Sequence, residues 1–198
     1  MQKEIYGAIQ SSIRVKEKVL ESPALLHDLE KAISFVVKTY QNKGKVLFCG
    51  NGGSAADAQH LAAELAGRFY YDRPPLFAEA LHVNTSFTTA VSNDYGYDMV
   101  FARMVNAAGK QGDILVALST SGNSPNIIQT IHAAKKKQML VIGFTGSDGG
   151  KMNDICDILL KAPSGDTPRI QEIHMLLGHI FCEQIEKKVR QTIKKYTL

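Results

Sequence analysis

The distribution of apolar residues divides the chain into two parts. Over residues 3–21, Ile5, Ile9, Ile13, Val19 and Leu20 fall at helical spacing. Over 23–43, Leu25, Leu26, Leu29, Ile33, Val36 and Val37 form a broader stripe at the same spacing. Both segments are predicted helices, separated by Ser22-Pro23 as an N-cap and first-turn pair, with Gly44 closing the second. From residue 45 the pattern changes to short continuous apolar runs separated by helical segments. Runs at 45–49, 78–83, 113–118, 139–145 and 157–162 read as strands. Helices are expected at 54–69, 85–93, 97–108, 125–137, briefly near Lys151, and from about 168 to 195. Continuous apolar strands alternating with helices imply a parallel sheet covered on both faces. Five strands with right-handed crossovers give an α/β, flavodoxin-like doubly wound five-stranded parallel sheet with two extra N-terminal helices. With no linker or repeat visible, one domain over 1–198 is expected, with 1–43 packing on the core or on a neighbouring subunit.

Two turns stand out against this frame. Lys45-Val46-Leu47-Phe48-Cys49 runs into Gly50-Asn51-Gly52-Gly53-Ser54 before a helix. Ile114-Leu115-Val116-Ala117-Leu118 runs into Ser119-Thr120-Ser121-Gly122-Asn123-Ser124-Pro125 before another. Unpaired N–H groups at a helix start attract anions, and hydroxyls beside them donate further hydrogen bonds. Ser124 fits the N-cap and Pro125 the first helical position. Both turns fall at the carboxyl edge of the sheet, where ligands bind in folds of this kind. Neither has the lysine of a Walker loop, so a phosphorylated small metabolite fits better than a nucleoside triphosphate.

Bulk properties narrow the classes. The 198 residues are 44% hydrophobic and 21% charged, with a net charge of +4. The basic residues gather at 135–137 and 187–195, near expected helix C-termini, where they complement the macrodipole. They read as solvated faces, so no nucleic-acid partner is expected. No apolar run is long enough to cross a bilayer, and Met1-Gln2-Lys3-Glu4-Ile5 carries no apolar signal region. Cys49, Cys156 and Cys182 have neither pairing nor metal spacing and fit a reduced, cytoplasmic setting.

Candidate chemistry lies on two helices. His60 and Glu64, four residues apart, share a helix face and suit either a metal ion or proton transfer. On the last helix Gln171, Met175 and His179 form a ridge beside an apolar side. His179 lies in a largely apolar stretch, and the adjacent Gly178 points to close approach by another backbone, such as a neighbouring subunit. Asn93-Asp94 offers polar turn groups suited to a sugar hydroxyl.

Taken together, Gly50-Asn51-Gly52-Gly53-Ser54, Asp57-Ala58-Gln59-His60, Glu64, Asn93-Asp94-Tyr95-Gly96, Ser119 to Ser124, Arg169-Ile170-Gln171-Glu172-Ile173-His174 and His179 resemble the phosphoheptose isomerase family of sugar-isomerase (SIS) domain enzymes. The resemblance implies interconversion of sedoheptulose 7-phosphate and D-glycero-D-manno-heptose 7-phosphate through an enediol, the first step toward the activated heptose of lipopolysaccharide. It implies Glu64 as base and His179 as its acid/base partner. It assigns substrate binding to Asn51, Gly52, Gly53, Ser54, Glu64, Asn93, Asp94, Ser119, Thr120, Ser121, Ser124 and Gln171. It further implies one zinc ion per subunit on His60, Glu64, Gln171 and His179, and a homotetramer. A carboxylate fixed on zinc is a weaker base, so the two roles of Glu64 belong to different states of the site. Gln171 and His179, eight residues apart, stand about 12 Å apart along a straight helix. The complete site is therefore expected to borrow residues from a neighbouring subunit.

The alternative is a related SIS protein that binds the replication initiator DnaA without isomerase activity. That protein resembles this chain over the Arg169 to Glu172 segment, but departs at the positions of Glu64, Ser121 and His179. The retention of all three here favours the enzyme.

Overall fold

The computed structural model describes residues 1–196, with side chains described through residue 191. The side chains beyond that point, including Lys194 and Lys195 of the basic C-terminal run, lie outside the described residues. Five strands form one all-parallel sheet: β1 (Val46–Cys49), β2 (Ala78–Ala80), β3 (Ile114–Leu118), β4 (Leu140–Thr145) and β5 (Ile158–Lys161). Their spatial order is β2-β1-β3-β4-β5, the flavodoxin-like order expected from the sequence. Val46 pairs with Ile114 and Ala78, so β1 sits between β2 and β3.

Alternating residues on the strands feed two separate cores. Val46, Phe48, Ile114, Val116, Leu118, Ile142 and Phe144 face one side. That side is covered by α1 (Gln2–Leu20), α2 (Pro23–Gln41), α3 (Gly53–Ala66) and α7 (Thr167–Tyr196). Leu47, Cys49, Leu115, Ala117 and Val141 face the other, covered by α4 (Thr85–Tyr95), α5 (Val100–Ala108) and α6 (Pro125–Lys136). All residues of β1 and β3 are buried, which is why their sequences are continuously apolar rather than alternating.

Most boundaries shift by one or two residues, as at the ends of α2 (Gln41) and α4 (Tyr95), and three departures are larger or change the element. β2 stops at Ala80, opposite Phe48; after Leu81 N–H donates to the Phe48 carbonyl the ladder ends. The segment expected as one helix over 97–108 begins with a 3-10 turn, Tyr97–Met99, before α5. α3 ends at Ala66, not near 69, since the N–H groups of Phe69, Tyr70 and Tyr71 donate to the Glu186 carboxylate instead of continuing the helix.

α2 buries its stripe in the core as expected, with Leu25, Leu29, Ile33, Val36 and Val37 all covered. α1 does not. Val15 and Val19 are buried, but Ile5, Ile9 and Ile13 stay about half exposed and Leu20 is 76% exposed. The Arg169 guanidinium donates to the Ala8 carbonyl and ties α1 to α7, leaving that isoleucine stripe facing outward.

Candidate active site

β1 and β3 are the neighbours at which the strand order reverses, so the turns following them flank the switch-point crevice. Both anion-loop candidates lie there. They are stitched together by a reciprocal amide pair: Asn51 Nδ2 donates to Asn126 Oδ1, and Asn126 Nδ2 donates to Asn51 Oδ1, each at 2.8 Å. Tyr97 Oη adds a third bond, to Asn51 Oδ1 at 3.1 Å. Asn126 is buried, so this pair fixes one loop against the other. Sequence reasoning missed Asn126 and Tyr97; an asparagine in the first turn of a helix and a lone tyrosine carry no pattern that points to a site.

Ser124 occupies the N-cap position of α6, but its hydroxyl makes no cap bond. It lies 3.1 Å from Ser119 Oγ, closing the loop on itself. Thr120 and Ser121 line a cavity of about 270 Å³ shared with Ser147, Asp148, Ser164 and Thr167, which follow β4 and β5. Those four also escaped the sequence reading, because they belong to separate turns that only the sheet brings together. Ser54 is buried in the first turn of α3, with Gly52 and Gly53 exposed before it. Asn93 and Asp94 sit exposed in the last turn of α4, their side chains joined at 2.9 Å, shortly before Tyr97.

The chemistry-bearing residues meet where α3 and α7 run side by side in the same direction. His60 Nε2 lies 3.0 Å from His179 Nε2 and 3.2 Å from Glu64 Oε1. The three ligand-capable atoms all fall within 4.8 Å of one another, on a single chain. His60 is exposed, whereas Glu64 and His179 are half-buried, so the cluster opens to solvent from one side. Burial raises the nearby Asp57 carboxyl above its usual value, partly offset by His60.

Two details explain why the helices come so close. Gly178 is buried, and a Cβ there would fall 2.7 Å from both Leu61 methyl carbons. The close approach read from Gly178 is therefore made by a side chain of α3 in the same chain, not by the backbone of another subunit. Further toward the N-terminal ends, a Cβ on Gly53 would fall 2.3 Å from Gln171 Nε2. Gln171 thus lies against the first turn of α3, seven residues before His60, or about 10 Å along the axis. Within this chain it stands at the anion-loop end, apart from the His60–Glu64–His179 cluster.

Among the described residues, no helix is long and apolar enough to cross a membrane. A family model described as "SIS domain" matches residues 9–146. A phosphoheptose isomerase of Aneurinibacillus thermoaerophilus is 49% identical over 185 residues, covering 93% of both chains. A phosphoheptose isomerase 2 of Campylobacter jejuni is 48% identical, covering 93% of this chain and 92% of that one. The solved phosphoheptose isomerase of Neisseria gonorrhoeae superposes with a TM-score of 0.88 at 44% identity, over 94% of this chain and 98% of that one. The chain belongs to the phosphoheptose isomerase family of SIS-domain proteins.

Proposed function

We propose that this chain is an aldose–ketose isomerase that converts sedoheptulose 7-phosphate to D-glycero-D-manno-heptose 7-phosphate. The observation that carries the reading is the convergence of Glu64 and His179, from two different helices, beside a switch-point crevice lined by two hydroxyl- and amide-rich turns. The names of the relatives support a phosphorylated heptose as the substrate class.

The phosphate is held by Thr120, Ser121, Ser119 and Ser124 together with the turn at Asn51, Gly52, Gly53 and Ser54. Gln171, Asn93 and Asp94 meet sugar hydroxyls. With the phosphate anchored, the reacting end of the sugar reaches the cluster. The Glu64 carboxylate removes a proton from C1 of the ketose, the C1–C2 bond becomes the double bond of an enediol, and the C2 carbonyl oxygen takes up a proton. Returning a proton to C2 while O1 gives one up completes the aldose. His179 moves the proton between the two oxygens.

The donor set fits zinc. Two imidazole nitrogens and a carboxylate are zinc's usual ligands, and tetrahedral bonds of about 2.0–2.1 Å place ligand atoms roughly 3.3 Å apart. The two separations from His60, 3.0 and 3.2 Å, are close to that, and all three ligand atoms lie within 4.8 Å of one another. His60, Glu64 and His179 would hold the ion, with Gln171 as a ligand only through a rearrangement or a neighbouring subunit. A bound zinc ion would supply Lewis-acid chemistry at the sugar's oxygens, in a state of the site distinct from the one in which Glu64 acts as the free base. The half-exposed Ile5, Ile9 and Ile13 support a homo-oligomer, a tetramer by family resemblance, that covers α1. A cytoplasmic place at the head of lipopolysaccharide heptose synthesis completes the reading. One domain over 1–198 is the simplest organisation consistent with α1 and α2 packing on the sheet's own core.

The test is direct. The purified protein, after chelation and with or without added zinc, is incubated with sedoheptulose 7-phosphate and aldoheptose phosphate is followed by NMR. Turnover supports the isomerase, and its dependence on zinc decides whether the cluster needs the ion. A folded protein with no turnover under either condition refutes the reading and favours a binding role such as association with DnaA.

A further inference from the structure

Behind the cluster lies a second set of charges that the reaction does not use. Glu186 follows His179 by seven residues, two turns further along the same face of α7. It is fully buried. Its carboxylate accepts from four donors: the N–H groups of Phe69 at 2.9 Å, Tyr70 at 2.7 Å and Tyr71 at 3.1 Å, and Arg73 Nε at 3.0 Å. Burial pushes this carboxyl up, but the three backbone donors and the guanidinium outweigh it and hold it below the usual carboxylate value.

Arg73 is equally enclosed, its side chain 2% exposed. Its Nη2 donates to the main-chain carbonyl of Glu64 at 3.0 Å, and its Nη1 to those of Gly67 and Pro74 at 3.3 and 3.1 Å. Glu64 stands in the last turn of α3, so its carbonyl is one that the helix leaves without a partner. One guanidinium therefore touches both the turn that carries Glu64 and the carboxylate two turns from His179. The segment pinned by Glu186 also returns to the cluster, since the Phe69 ring lies 6.0 Å from the His179 ring, centroid to centroid.

We propose that Arg73 and Glu186 are positioning residues for the isomerisation: together they form a cross-brace that sets the spacing between Glu64 and His179. The inference rests on the isomerase reading for its kinetic consequence, but the geometry it claims can be tested without it. Neither residue reaches the substrate; each acts through the backbone of α3 or the packing of Phe69.

Two variants are compared with the wild type. Glu186→Gln keeps the shape and weakens the brace. The double variant Arg73→Met, Glu186→Leu removes both charges together, so that no lone charge is left buried. In both, zinc is titrated against the chelated protein, kcat and KM are measured, and a crystal structure of the double variant is determined. The expected result is a rise of about 10- to 100-fold in the zinc dissociation constant at unchanged stoichiometry, with kcat falling by a similar factor and KM held. The crystal structure is expected to show His179 moved away from His60 and Glu64, with the 3.0 Å His60–His179 separation widened. A pair that only stabilises the fold would instead lower the melting temperature and the number of zinc sites per chain, leaving affinity and kcat per site alone, and that outcome overturns the proposal. So does a crystal structure with the three side chains in their wild-type positions, whether or not the wild type isomerises the sugar. Absence of turnover in the wild type, alongside a widened separation in the variant, keeps the brace and removes the isomerase reading.

Discussion

Gly178→Ala tests whether the contact between α3 and α7 governs the chemistry. The new Cβ would arrive 2.7 Å from both Leu61 methyl carbons. Carbon atoms pack at about 3.5–4.0 Å, so the shortfall is roughly 1 Å. Leu61 is fully buried, so its side chain can turn aside only by displacing packed neighbours, and the helices are expected to part. Overpacking of this size costs about 1–3 kcal/mol. Alanine in place of glycine within a helix returns about 1 kcal/mol. The net loss of stability is therefore about 0–2 kcal/mol, small enough for the protein to stay folded. The catalytic loss should be larger in proportion, because His60 and His179, which flank the contact, start 3.0 Å apart. A displacement near 1 Å in a reacting constellation costs on the order of 100-fold in rate. The assay is kcat by NMR turnover beside a urea denaturation curve. A variant that unfolds at the wild-type urea concentration and keeps wild-type kcat would refute the argument that this interhelical gap sets the site.

Further predictions address single groups. Glu64→Gln preserves size and hydrogen bonding but cannot take a proton; turnover should vanish while the circular dichroism spectrum stays native, and full activity would mean another base. His60→Ala removes a side chain that is half exposed and structurally minor, so zinc binding followed by calorimetry should weaken strongly with little change in melting temperature. His174 is buried, and burial lowers its pKa from 6.5 to about 4 despite its Nε2–H donating to the Thr145 carbonyl at 3.2 Å. The unfolded chain therefore takes up this proton first, so stability is intact above pH 6.5 and falls as the pH drops toward 4, by up to about 3 kcal/mol from this group. Denaturation midpoints of wild type and His174→Gln at pH 7 and 5 check it; equal pH sensitivity in the two would show that His174 is not the source.

The fold was legible because its central strands, β1, β3 and β4, are buried on both faces. Continuous runs such as Ile114 to Leu118 follow from that burial, and the glycine- and serine-rich turns after β1 and β3 follow from their place at the switch point. His60 and Glu64 were legible because they sit on one helix. What the sequence could not supply was juxtaposition across the fold. Arg73 and Glu186 are separated by 113 residues, and each reads alone as an ordinary surface charge. The Asn51–Asn126 amide pair is invisible for the same reason. The end of α3 was misplaced because Phe69 to Tyr71 satisfy their N–H groups on a distant carboxylate, a tertiary choice that overrides local helical tendency. Gly178 signalled close approach correctly, but a missing side chain does not say which neighbour fills its space.

The parallel course of α3 and α7 has a consequence for selectivity. Gln171 meets Gly53 at the start of the pair, and His179 meets His60 two turns later, so the two levels stand about 10 Å apart by helical rise alone. On the isomerase reading, one level serves the phosphate and the other the reacting carbons. Two rigid rods then act as a ruler: a sugar phosphate with fewer carbons can reach the anion loops or the carboxylate, but not both at once. A pentose 5-phosphate should accordingly bind as an inhibitor without being turned over, and its efficient isomerisation would show that the ruler does not exist.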